Sequence, residues 1–180
     1  MKKLLLFTLV ILLTTGGCAC LDQSGSGSRQ AGADLVILLE KQAVQEVITQ
    51  LFVSTDNRDW EMVNAIFADQ VLFDMTSLAG GEPVTLSPVQ ITQSWDKGLK
   101  PLEAIHHQAG NFLITVENDS ATAFCYGIAT HYLPNKTNQN TRTFVGSYDF
   151  HLVKVDGSWK IDQFKFNMKY LDGNLQLESS

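Results

Sequence analysis

Cysteine is scarce in this chain. Of three cysteines in 180 residues, Cys18 and Cys20 lie near the N-terminus, which leaves Cys125 alone in the body of the sequence. One thiol cannot staple a fold, so a disulfide-framed domain is excluded, and on an apolar stretch Cys125 reads as a small buried hydrophobe. Basic charge is also sparse: 13 Lys and Arg stand against 19 Asp and Glu, a formal net charge of -6. Nucleic-acid partners, which require clustered Lys and Arg, are therefore not expected. Neither a Gly-rich phosphate loop nor a zinc-type ligand spacing occurs, so no cofactor and no metal is expected. No internal repeat is visible. The apolar run Leu4 to Leu13 falls short of the about 20 residues that span a bilayer.

What is present is an ordinary globular composition. Apolar residues make up 44% of the chain, which argues against disorder and for one domain with a real core. The N-terminus reads as an export signal over residues 1–17: Lys2-Lys3, then the apolar run, then small residues. Its end, Thr14-Thr15-Gly16-Gly17-Cys18, resembles a bacterial lipobox. That resemblance implies lipidation of Cys18, with Cys20 a poorer alternative and ordinary cleavage the plain one. Residues 18–32, rich in Gly and Ser, read as a flexible tether. A domain at 33–172, followed by a tail at 173–180, would then sit on the periplasmic side of a bacterial cell envelope. Its only membrane contact would be the lipid.

Period separates helices from strands. Leu39, Ala43, Val47 and Leu51 recur every four residues, which predicts a helix over Leu35 to Thr55. Asp59 can cap a short helix through Trp60, Val63 and Phe67. Gln70 to Thr76 alternates as a strand with Val71, Phe73 and Met75 on one face, which leaves Asp74 outward and structural. Ser87-Pro88-Val89-Gln90 is a helix start with a capping box, and Gly98 ends that helix. Beyond Pro101 the period becomes two: His107 to Glu117, Ser120 to Tyr132, Arg142 to Val155 and Ser158 to Tyr170. Asn118-Asp119 and Asp156-Gly157 are the hairpin turns. The reading is α+β: a curved antiparallel sheet wrapped around three N-terminal helices as a cone or half-barrel. On the second long strand Ala121, Ala123, Cys125, Gly127, Ala129 and His131 share one face. Its small residues leave room for a helix or for a ligand.

The turn Asp56-Asn57-Arg58-Asp59-Trp60, the strand end Phe73-Asp74, the run His106-His107-Gln108-Ala109-Gly110 and Val155-Asp156-Gly157-Ser158-Trp159-Lys160 resemble, in this order, the SnoaL-like branch of the nuclear-transport-factor-like superfamily. The resemblance covers nearly the whole domain and implies a cone-shaped sheet with a pocket at its open end. Within that branch the pattern is similar to the scytalone dehydratases. Their catalytic Asp is matched by Asp56, their two histidines by His107 and His131. The two tyrosines that orient a water on the substrate carbonyl in that family are replaced here by Thr55 and Met75. Tyr148 falls where the family places a pocket asparagine. Relatives of this fold pair through the outer sheet face, so the resemblance also allows a homo-oligomer built that way.

Each candidate has a plainer reading. Asp56 can be a turn residue, His107 a polar strand start and His131 a hairpin-edge residue. His106 alternates away from His107, and His151 shares a face with Asp149 and reads as solvated. Phe73, Met75, Tyr148, Phe166 and Met168 are core residues that could also line a cavity for a small apolar molecule. Two functions remain open at this stage. One is a dehydratase or isomerase in which His107, held by Asp56, removes a proton and His131 protonates or steadies the leaving oxygen. The other is a non-catalytic binding or assembly domain, favoured by the missing tyrosines.

Overall fold

The computed structural model describes residues 24–179; the expected signal segment and Cys18 lie outside them. Helix α1 (Ser24–Asp56) buries Val44, Ile48, Leu51 and Phe52. Those positions fall at the spacing that puts one stripe of a helix against a core. The helix begins well before Leu35, so the part of the expected tether from Ser24 onward is helical. Adding turns to an existing helix is far easier than nucleating one, and Gln30 to Asp34 supplies an i,i+4 hydrogen bond of 2.9 Å there. Leu39 does not join the buried stripe; it and Leu35 to Leu38 are exposed. No helix among the described residues is long and apolar enough to cross a membrane.

Helix α2 (Trp60–Ile66) is capped by Asp59, whose side chain accepts from the Met62 N–H. Phe67, expected inside that helix, instead starts strand β1 (Phe67–Asp74). A one-turn helix α3 (Thr76–Ala79) and a short strand β2 (Val84–Leu86) follow. Neither is apparent in the sequence, because four and three residues show no period. Helix α4 (Pro88–Leu99) carries the expected capping box between Ser87 and Gln90. The four long strands are β3 (Ala104–Glu117), β4 (Ser120–Tyr132), β5 (Thr141–Val155) and β6 (Ser158–Gly173). Asp156 and Gly157 both take positive φ (49° and 79°) in the last hairpin, which suits a tight turn of the primed type.

The sheet order is β2-β1-β6-β5-β4-β3. The expected all-antiparallel sheet is corrected at one seam: β1 runs parallel to β6, so the sheet is mixed. The reason is topological. β1 precedes the meander and docks on its last strand, and α4 and the meander form the crossover. Irregularities in the ladder redirect side chains. At Asn111 (φ 59°) an extra residue sits between the pairs Gly110↔Tyr126 and Leu113↔Phe124. It moves the inward set of β3 from Ile105, His107 and Ala109 to Phe112, Ile114 and Val116. A bulge near Lys169 turns Tyr170 out to solvent, off the face that carries Phe166.

The inner face is filled mainly by rings. Phe52 lies 4.9 Å from Tyr148, and Trp95 lies 5.7 Å from Phe164 (centroid distances). The stripe of small residues on β4 makes space for this layer. A Cβ at Gly127 would collide with the Tyr148 ring, so that glycine lets the ring lie on the sheet. The C-terminal segment is built into the fold: Leu177 is fully buried beside Leu102 and Ile105. Asp74 is also less free than expected. It is buried and accepts from the Thr76 N–H (3.0 Å) and hydroxyl (2.6 Å).

Candidate functional site

The end of α1 is held by a residue in an uncommon conformation. Arg58 has φ 56° and sends its guanidinium to the carbonyls of Leu99 (3.2 Å) and Leu102 (2.7 Å) beyond the end of α4. Trp60 donates from Nε1 to Asp96 of α4 at 2.9 Å. These bonds fix the turn that carries Asp56, and they fix it against β3. The Asp56 carboxylate accepts from the His107 backbone N–H at 2.9 Å and from the His107 ring Nδ1 at 2.6 Å. A carboxylate can only accept, so Nδ1 carries the proton and Nε2 presents a lone pair. The ring stacks on Phe52 at 5.3 Å and 21°, and 13% of its side chain is exposed.

His131 reaches the same place by register. His107 pairs with Ala129, and His131 stands two residues further along β4 on the same face. The two imidazoles are thus diagonal neighbours with Cβ atoms about 7 Å apart, and the small Ala129, also in the cavity lining, stands opposite His107. Arg142, opposite His131 on β5, approaches its Nδ1 at 3.3 Å through Nη2. Arginine has no acceptor, so Nδ1 of His131 must be the bare nitrogen and Nε2 the protonated one. Burial, then the charge of Arg142, then His107, hold the His131 pKa down to about 4. The imidazole is therefore neutral at pH 7 and acts as a hydrogen-bond donor.

Arg142 is in turn gripped by Glu178 of the C-terminal segment, at 2.5 and 3.0 Å. Burial pushes the Glu178 carboxyl up, but hydrogen bonds from Arg142 and from its own backbone N–H, with the charges of Arg142 and His131, together outweigh it and the net direction is down. The Nε of Arg142 is buried and has no hydrogen-bond partner among the described residues, a costly state for a donor.

Between the sheet and the helices lies a cavity of about 270 Å³, lined by His107, His131, Arg142, Tyr148 and Trp95 among others. Of the residues expected to touch a ligand, Met75, Tyr148 and Phe166 line it. Phe73 and Met168 do not: Phe73 packs on Trp95 and stacks on Phe164 at 5.2 Å within the core. Thr55 lines the cavity, but its hydroxyl donates to the Leu51 carbonyl at 2.8 Å. The Tyr148 hydroxyl has no partner among the described residues, and burial raises its pKa well above the ordinary 10. It stays protonated and can donate. His106 is 75% exposed and lies outside the cavity lining, as its alternation with His107 predicts, but its Nδ1 comes within 3.9 Å of Asp56 Oδ2. Arg142 is the residue that sequence reasoning missed. A lone arginine at a strand start looks solvent-facing, and only the register with His131 reveals its place.

The sheet and helices thus form an α+β fold with an apolar hollow that carries polar side chains on its wall. The chain belongs to the SnoaL-like domain family, which matches residues 36–165. No curated protein matches it. Among solved structures, the chain is similar to the Kfla4162 protein of Kribbella flavida (20% identity, TM-score 0.72, covering 77% of this chain and 96% of that one). It is also similar to a candidate scytalone dehydratase from Novosphingobium aromaticivorans (17%, 0.67, 76% and 89%). A third is a hexachlorocyclohexane dehydrochlorinase from Novosphingobium barchaimii (18%, 0.66, 79% and 94%). At such identities these likenesses establish the shared fold.

Proposed function

We propose that the inner cavity is a proton-transfer site that acts on a small, largely apolar carbonyl compound as a dehydratase or isomerase. The supporting observation is that His107 lines the same cavity as a neutral His131, while Asp56, outside the lining, holds the His107 ring at 2.6 Å. Nε2 of His107 takes a proton from carbon next to the carbonyl, while Asp56 holds the ring in that tautomer and stabilises the imidazolium. The charge that develops on oxygen meets two candidate donors on the cavity wall, Nε2–H of His131 and the Tyr148 hydroxyl. In an elimination, the carbon–oxygen bond breaks and the departing hydroxyl leaves as water by taking the proton that His107 removed, while the neutral His131 steadies it by a hydrogen bond; a pKa near 4 makes His131 itself a poor carrier of an extra proton. The relatives of dehydratase and dehydrochlorinase type support elimination chemistry.

The test is a thermal-shift screen of the full chain with small cyclic and aromatic ketones, followed by turnover assays of the hits. His107→Ala and Asp56→Asn should each lower turnover by about 10²- to 10⁴-fold with the melting transition kept. Retained activity in both variants rejects these roles. A second reading, ligand binding without turnover, is favoured by Thr55 and Met75 standing where a water-orienting pair of tyrosines would be needed. Hits that bind but are never converted would select it. We also propose that the domain works at the envelope of a bacterial cell, anchored through Cys18. Cys18→Ser should then release the protein from the membrane fraction.

A further inference from the structure

The outer face of the sheet carries a second constellation that the inner cavity does not use. His151 on β5, expected to be solvated, is held on both sides. Its Nδ1 lies 2.6 Å from Asp162 Oδ1 on β6, and its Nε2 lies 2.9 Å from Ser120 Oγ on β4. The carboxylate accepts, so Nδ1 donates and Nε2 is bare; the Ser120 hydroxyl must then donate to Nε2. Asp162 is not on this face by simple alternation. His151 pairs with Gln163 and Leu152 with Ile161, so Asp162 is the extra residue of a β-bulge, and the bulge turns it toward the imidazole. All three side chains are half-buried, within reach of solvent. His151 lies along an open groove of about 490 Å³ whose outward lining includes Thr122, Phe124, Gln163 and Leu113.

The geometry points to a second, independent acyl-transfer site on this face, with Ser120 as nucleophile, His151 as its base and Asp162 as the group that orients the base, acting on short-chain carboxylic esters. A nucleophile, a base within hydrogen-bond reach of it and a third group holding the base in one tautomer make up the arrangement that activates serine. Ser120 Oγ forms a bond to the ester carbonyl carbon as its proton passes to His151 Nε2. The carbon–oxygen bond to the alcohol breaks, and the proton on Nε2 goes to the leaving oxygen. Water then repeats the sequence on the acyl-serine, so ester and water yield acid and alcohol. Thr122 and Gln163 both stand directly opposite His151 on the flanking strands. Their hydroxyl and amide make no hydrogen bond among the described residues and are free to donate to the carbonyl oxygen. Leu113 and Phe124 offer the acyl chain an apolar wall.

The experiment uses the full chain with p-nitrophenyl acetate and, separately, a fluorophosphonate probe read by peptide mass mapping. The expected result is hydrolysis above background and a covalent adduct on Ser120. Both should fall about 100-fold or more in Ser120→Ala and in His151→Gln, with circular dichroism confirming that each variant is folded. Asp162→Asn, which keeps the shape of the side chain and disturbs the tautomer, should lower the rate of labelling. Absence of any adduct, an adduct on another residue, or a Ser120 adduct that forms equally fast in His151→Gln would overturn the proposal. Because the readout is an adduct on the outer face, its failure leaves the inner cavity's proposed chemistry untouched.

Discussion

Titration of His131 tests the electrostatics of the inner site without knowledge of the substrate. Folding holds this imidazole at a pKa of about 4 against an ordinary 6.5. At ~1.36 kcal/mol for each tenfold change in proton affinity, that difference comes to about 3 kcal/mol. The sign follows from linkage. Below pH 6.5 the unfolded chain binds a proton that the folded chain refuses, so the stability is fully present above 6.5 and lost as pH falls toward 4. By pH 5 about 2 kcal/mol should be gone, a large part of a marginal total. Urea unfolding at pH 7 and pH 5, for the wild type and His131→Gln, isolates the effect, because most carboxylates titrate lower and cancel between the two proteins. A histidine ring-proton titration by NMR gives the midpoint directly. Arg142→Gln removes the second-ranked cause and should move that midpoint upward, while burial keeps it below 6.5. A wild-type midpoint at or above 6.5, or one unmoved in Arg142→Gln, would refute the account of a neutral, arginine-held donor.

Gly127→Ala places a methyl group where the Tyr148 ring lies, and should destabilise by about 1–3 kcal/mol as an overpacking change, measured by denaturant unfolding. The same variant should weaken any ligand of the inner cavity, since Tyr148 must tilt into it. Ser87→Ala removes the side chain that caps α4 and should cost about 1 kcal/mol by the same assay, with ligand affinity unchanged.

The element list follows from local rules that need no partner. Leu39, Ala43, Val47 and Leu51 declare a helix by spacing, Ser87 and Gln90 declare a later one by reciprocal caps, and Asp156-Gly157 closes a hairpin because its residues tolerate positive φ. Those signals also placed Asp56, His107 and His131 at the ends of their elements. What sequence could not supply was any feature set by counting across strands. The parallel seam of β1 on β6, the bulges at Asn111 and Asp162, and the outward turn of Tyr170 depend on which residue stands opposite which, and a shift of one residue reverses a face. Arg142 belongs to this group: it becomes part of the site only because His131 is its register partner, and Glu178 aims it from the segment read as a C-terminal tail. Burial decides the rest. The chain specifies an imidazole at position 131, but whether it carries charge is settled by the water that the assembled sheet and helices exclude.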